Sequence, residues 1–187
     1  MSTQSAQYTR VAIALHWIIA VLMIAQLIGG EIMGQLQPIT FRFEVYQLHK
    51  SFGIIVLLLS FARLGWRLRH TPPPLPANME PWERHVAKLT HILFYVLIIG
   101  IPMAGWLMVS ASPRNIDTMI FKIIPWPHVP GIPQSETLES LFKDIHDYMA
   151  IAAVILIVLH VGAALKHHFV KKDDVLTRML PVLKKRG

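Results

Sequence analysis

Ile145-His146-Asp147-Tyr148-Met149-Ala150-Ile151-Ala152-Ala153-Val154-Ile155-Leu156-Ile157-Val158-Leu159-His160-Val161-Gly162-Ala163-Ala164-Leu165-Lys166 is the stretch on which the fold turns. Carried on to Phe169, it gives a helix of more than roughly 30 Å at about 1.5 Å per residue, enough to cross a bilayer core. Two histidines stand in it, fourteen residues apart. Fourteen residues make almost four turns, so both imidazoles leave one helix face, roughly 21 Å apart along the axis. Ionisable side chains at membrane depth are costly, and their default reading is functional.

Three more segments of this kind precede it. Together the four run over about 11–33, 49–69, 86–110 and 145–169. The second is the weakest, because its unbroken apolar run is only Phe52–Ala62. Hydrophobic residues make up 53% of the 187-residue chain against 16% charged, and the mean hydropathy is +0.47. Those values suit a membrane protein. The expected fold is all-α: one integral membrane four-helix bundle. A polar stretch around Gly34–Tyr46 joins the first two segments. The run Thr71-Pro72-Pro73-Pro74-Leu75-Pro76 cannot continue a helix and separates the second from the third. The last connection carries Pro113, Pro125, Pro127, Pro130 and Pro133, then turns helix-like at Ser135, an N-cap before Glu136 and Glu139. The first apolar run, Val11–Ile28, is too long for a usual signal sequence and is read as a retained helix.

The net charge of +7 is spent by side of the membrane, which removes the usual reason to expect a nucleic-acid partner. Of 18 Lys and Arg residues, 13 fall in the two tails, the second connection and the helix ends beside it: Arg10, Arg63, Arg67, Arg69, Arg84, Lys88, Lys166, Lys171, Lys172, Arg178, Lys184, Lys185 and Arg186. An even number of spans puts all of them on one side, and that side is expected to be the cytoplasm.

His16 lies six residues after Arg10, and His160 six before Lys166, so both belong near the cytoplasmic face. His49 opens the second segment and His146 the fourth, beside Lys50, Asp144 and Asp147 at the opposite face. Depth therefore sorts four histidines into His16 with His160 and His49 with His146. Two imidazoles at each depth are what two stacked haem irons need, and bis-histidine ligation favours electron transfer over oxygen binding. With no cysteine, covalent haem attachment, iron–sulfur clusters, zinc-thiolate sites and disulfides are all excluded. The expected cofactors are two haem b groups held between helices.

Arg63 stands fourteen residues after His49 and reads either as a partner for a haem propionate or as a side chain snorkelling to the interface. Gly53 and Gly162, near His49 and His160, leave room for a porphyrin face or for a neighbouring helix. His91 reads as a contact to a propionate or a quinone oxygen, or as a plain interhelical hydrogen bond. His167 and His168 read as a polar cap facing anionic lipid. His70, His85 and His128 read as ordinary interface or loop residues. Trp17, Trp66, Trp82, Trp106 and Trp126 read as interface anchors, with Trp17 beside His16. Lys50, Arg42 and Lys143 stand on the otherwise acidic outer side, where they would hold outer propionates.

Four short stretches carry a family resemblance: Ala14-Leu15-His16-Trp17, His49-Lys50-Ser51-Phe52-Gly53, Leu165-Lys166-His167-His168-Phe169 and Lys172-Asp173-Asp174. In this order and spacing, from about Arg10 to Pro181, the chain resembles the bacterial cytochrome b561 family. The resemblance implies a four-helix dihaem protein of the inner membrane. The first and fourth helices share the cytoplasmic-side haem (His16, His160), and the second and fourth share the periplasmic-side haem (His49, His146). Members resemble quinone-linked electron carriers, and one branch oxidises superoxide and reduces ubiquinone. The reading is thus a dihaem cytochrome moving electrons between a periplasmic partner, superoxide or a protein, and the quinone pool, with membrane lipid around it. A haem-bearing anchor subunit of a larger oxidoreductase, as against a homodimer acting alone, is the first alternative. A haem-free metal-ion transporter is the second.

Overall fold

The computed structural model describes residues 7–76 and 79–183. Lys184, Lys185 and Arg186, counted above with the basic residues, lie outside the described residues. Four long helices carry the fold: α1 (Arg10–Met33), α2 (Ile39–Arg69), α3 (Pro81–Ala111) and α4 (Glu136–Lys166). Each contains a stretch long and apolar enough to cross a membrane. α1 packs on α2, α2 on α3 and α3 on α4. Large apolar side chains such as Ile18, Val21 and Ile28 of α1 and Ile151, Ile155 and Val158 of α4 stay exposed on the outside of the bundle. In hydrocarbon there is no water for them to avoid, so they need no cover.

The ends follow local chemistry. Thr9 caps α1 by accepting from Ala12 N. Glu80 and Glu83 form a reciprocal capping box at the start of α3, with Pro81 in the first turn, where its missing N–H costs nothing. Ser135 caps α4 by accepting from Leu138 N, and its own N–H donates to Ala111 O at the end of α3. α4 runs on into a π-helical turn, His167–Lys171, stopped by Lys172 in the left-handed conformation. The chain then folds back as α5 (Val175–Met179). Trp17 Nε1 donates to Met179 O (2.8 Å), and Arg178 donates to Pro74 O. The start of α1, the α2–α3 linker and the C-terminal segment therefore share one end of the bundle, called here the terminal end. The α1–α2 and α3–α4 connections make the loop end.

Three helices are longer at the loop or terminal end than their apolar runs suggest. α2 begins at Ile39, ten residues before His49, so most of the polar stretch 34–46 is helical. α3 begins at Pro81 rather than near 86. Apolar runs mark where a helix meets hydrocarbon, not where its hydrogen bonding ends. His49 and His146 consequently sit in helix interiors, not at helix starts. The α3–α4 connection also forms a small antiparallel hairpin, β1 (Thr118–Ile120) with β2 (Ile124–Trp126), docked on α2. Ser51 ties it down: its hydroxyl donates to Gln47 O within α2 (2.7 Å) and accepts from Phe121 N of the hairpin (3.0 Å).

Candidate functional site

The buried centre of the bundle is apolar and includes Ile19, Met23, Val56, Leu97, Ile98, Ile101 and Ala153. Four of these mark one layer. Met23 lies seven residues from both His16 and Gly30, Val56 from His49 and Arg63, Ile98 from His91 and Gly105, and Ala153 from His146 and His160. Two helical turns are about 7 residues, so each helix carries a polar or small residue two turns above and below one dry layer.

Below that layer, at the terminal end, His16 and His160 face each other with ring centres 6.4 Å apart and planes inclined at 64°. Trp17 packs edge-on to His16 (5.1 Å), anchored by its bond to Met179 O. Phe94 packs on His160 (5.1 Å), and His91 stands 6.0 Å from the same ring. His91 and Arg63 line one cleft with Arg67 and Tyr95, and both guanidinium groups lie over the Tyr95 ring, at 6.0 Å for Arg63 and 5.7 Å for Arg67. The sequence-read residues Arg63 and His91 are thus together beside His160, while Arg67 and Tyr95 were not singled out.

At the loop end, His49 and His146 face each other with ring centres 6.2 Å apart and planes inclined at 69°. Their surroundings are made of glycine. A Cβ on Gly30 would meet His49 Cε1 at 3.4 Å, and one on Gly105 would meet His146 Nδ1 at 3.1 Å and Cε1 at 3.2 Å. Gly53 instead abuts Gln26, whose Nε2 donates to His49 O (2.7 Å) and fixes α2 against α1. Nothing lies within 4 Å of a Cβ at Gly162. Sequence reading missed Gly30 and Gly105. The signal was present: Gly30 follows His16 by fourteen residues, and Gly105 follows His91 by fourteen, the spacing that also separates His146 from His160.

Pro102 inside α3 shapes the same region. Proline has no N–H, so Ile98 O loses its helical donor. The fully buried Ser60 hydroxyl of α2 donates to it instead (3.3 Å). Three residues on, Ile101 O accepts from His146 Nδ1 (2.8 Å). A proton on Nδ1 leaves Nε2 bare, the form in which imidazole binds a metal. His49 Nδ1 is buried and has no hydrogen-bond partner.

His167 is not a lipid-facing cap. It is buried, and its Nδ1 meets Asp173 Oδ2 at 2.5 Å. Burial follows from the π-helical turn, which rotates His167 inward while the exposed Phe169 and Val170 turn outward. Next to it, Glu83 of α3 binds Lys171 and Lys166. Among the described residues no three His, Cys, Asp or Glu side chains converge as a metal cage. The intramembrane donors are imidazoles, His49 with His146 at the loop end and His16, His160 and His91 at the terminal end, which suits a metal that brings its own equatorial ligands.

Fold and site together define a multi-pass membrane protein built around two facing-imidazole pairs, one on each side of an apolar layer. Comparison with known proteins gives the family. The sequence matches the family described as prokaryotic cytochrome b561 over residues 7–182, and the chain belongs to it. It is similar to cytochrome b561 homolog 2 of Escherichia coli (strain K12), 32% identical over 93% of this chain and 91% of the relative. It is also similar to cytochrome b561 homolog 1 of the same strain, 29% identical over 94% and 97%. A third relative, named probable superoxide oxidase CybB, from Yersinia pestis, is 31% identical over 97% of this chain and 98% of its own length. The protein is therefore a bacterial membrane cytochrome of the b type, whose haem is held without a covalent link.

Proposed function

We propose that the chain holds two b-type haems, one between His16 and His160 and one between His49 and His146, and passes electrons between a periplasmic partner and the quinone pool of the inner membrane. The ring separations of 6.4 and 6.2 Å carry this reading. A metal–imidazole bond is about 2 Å, and each ring centre lies about 1 Å behind its nitrogen, so two imidazoles on opposite sides of one iron stand roughly 6 Å apart. A direct hydrogen bond between the two rings would bring their centres closer than this. The glycines beside the loop-end rings add room for a flat macrocycle.

Held by these histidines, haem would supply one-electron ferric–ferrous cycling. The protein's own residues do the rest. Ile101 O sets the tautomer and orientation of His146. Trp17 and Phe94 exclude water around His16 and His160. The layer of Met23, Val56, Ile98 and Ala153 keeps the path between the pairs dry. Arg63 and His91 stand where they would meet a propionate or a quinone oxygen beside His160.

The basic residues gathered at the terminal end support its placement at the cytoplasm, which puts His49 and His146 at the periplasmic side. The likeness to a protein named probable superoxide oxidase supports superoxide as the electron donor. Each superoxide would give up one electron and leave as dioxygen, and two such electrons with two protons reduce a quinone to a quinol.

The test is a haem-to-protein ratio with visible and EPR spectra on purified protein, followed by single histidine variants. Two haems per chain are expected. His16→Ala or His160→Ala should remove the terminal-end haem, and His49→Ala or His146→Ala the other. Loss of the wrong haem in either set would refute the pairing. Quinone reduction driven by superoxide tests the donor.

A further inference from the structure

Buried polar side chains without partners gather at the loop end of the His49/His146 pair. Beyond His49 Nδ1 they include Trp126 Nε1, His128 Nε2 and Gln47 Oε1. A buried N–H with no acceptor costs about 1–3 kcal/mol, so two such nitrogens in one loop call for a ligand. The loop is built to hold them still. Trp126 ends β2 and packs its ring on Trp106 of α3 (5.5 Å). Trp106 Nε1 donates to Pro127 O (2.9 Å), and Val129 N donates to Ser110 Oγ (2.9 Å). Residues 126–129 are thereby pinned to α3 one residue past Gly105, whose Cα faces the His146 ring.

On the other side, the loop meets α2 at the residues flanking His49. Lys50 Nζ donates to Asp117 O (3.0 Å), as does Gln47 Nε2 (3.2 Å). His128 Nε2 lies 4.0 Å from Asp117 Oδ1, too far for a hydrogen bond. An ammonium has three protons, so Lys50 keeps two for another acceptor. Trp126 Nε1 can only donate, and His128 Nε2 donates in the tautomer that carries its proton there. Donors and a cation with protons to spare make a site for a carboxylate or a similar small oxyanion.

We propose that Trp126, His128 and Lys50 form a carboxylate cradle, filled by the propionate edge of the haem between His49 and His146. This rests on the two-haem reading. A haem has one charged edge and three apolar ones, so within an apolar bundle the charged edge turns to the polar end of its site. At this pair the polar end is the 117–129 loop. His128 and Trp126, read from sequence as an ordinary loop residue and an interface anchor, then position the cofactor and tune its potential.

The test is a redox titration of the purified holoprotein, with each midpoint assigned by the His49→Ala and His16→Ala variants. Trp126→Phe and His128→Leu each remove the side-chain donor and keep much of the side chain's bulk. An uncompensated carboxylate favours the ferric state. The loop-end midpoint should therefore fall by up to about tenfold in the reduction equilibrium, or about 59 mV for a one-electron couple, with the other midpoint fixed. Trp106→Phe loosens the same loop but removes a donor already spent on Pro127, and should leave the midpoint in place. Lys50→Met is a fourth variant, read the same way if Trp126→Phe fails to fold. Two haems with unmoved midpoints in Trp126→Phe and His128→Leu would overturn the proposal while leaving the two-haem reading intact. An equal shift in Trp106→Phe would overturn it as a mere loop effect. A midpoint that responds only to added acetate, in wild type and not in Trp126→Phe, would assign the donors to a soluble anion and overturn it. A wild-type preparation with a single haem that is lost in His16→Ala would remove the two-haem reading and the cradle with it.

Discussion

Gly105→Ala is the sharpest single test of the loop-end site. The new Cβ would stand 3.1 Å from His146 Nδ1 and 3.2 Å from Cε1, against an ordinary contact of 3.4 Å or more. The ring must give by a few tenths of an ångström. It cannot move freely, because Nδ1 is bonded to Ile101 O at 2.8 Å, one turn earlier on the same helix. The substitution therefore pushes the ring away from the carbonyl that orients it. A typical hydrogen bond contributes about 0.5–1.5 kcal/mol. Losing the outer partner of a metal-bound histidine costs about 10- to 100-fold in metal affinity, or roughly 1.4–2.7 kcal/mol. Helix propensity works the other way, since alanine favours a helix over glycine by about 1 kcal/mol, so global stability should change little. The assay is haem occupancy of the loop-end site at limiting haem, resolved from the other haem by potential and EPR. Occupancy should fall while the terminal-end haem stays bound. Gly65→Ala, with nothing within 4 Å of its Cβ and no place beside either imidazole pair, is the control and should leave both haems unaltered. Full occupancy and an unshifted loop-end midpoint in Gly105→Ala would refute the argument that Gly105 makes room for the His146 ring.

Ser60→Ala leaves Ile98 O, already deprived of a donor by Pro102, buried without a partner. Thermal unfolding in detergent should show a loss of about 1–3 kcal/mol, and a change within error would mean the carbonyl finds another donor. Gly100→Ala places a Cβ against the Met149 Sδ and Cε atoms, where α3 and α4 pack closely. Those atoms are the far end of a flexible side chain that can swing aside, so the thermal unfolding midpoint should change little, and a large fall would show that Met149 is held rigidly. Lys171→Met should lower the unfolding midpoint more than Lys166→Met. Both lysines bind Glu83, but the Lys171 side chain is 24% exposed and that of Lys166 51%, and water screens the second pair more. Equal midpoints would show that burial does not separate the two pairs.

Much of the membrane architecture is legible in the sequence, because hydrocarbon imposes a length and a composition on every span. Ile145–Leu165 can be read as a spanning helix without any knowledge of its neighbours. Depth is legible too, from the distance of His16 and His160 to the charged residues that bound their helices. Helix limits are less so: Arg42 and Glu44 interrupt the apolar pattern of α2 without interrupting its hydrogen bonding. The 118–126 hairpin was invisible, since its strands are three residues long and are held by Ser51 of α2.

The sequence by itself determined four spans, the charge difference between the two ends, the non-covalent mode of haem attachment and the fourteen-residue spacing that puts His146 and His160 on one face of one helix. Each of these depends on local composition or helical periodicity. Only the tertiary structure decided which residues surround the imidazoles. Gly105 matters because α4 brings His146 within 3.1 Å of where its Cβ would be. His167 is buried because a π-helical turn rotates it inward onto Asp173. Trp126 and His128 hold unspent donors because the loop folds across from α2 to α3. Such contacts join residues far apart in the chain, and their distances are set by how helices pack rather than by any one helix's pattern.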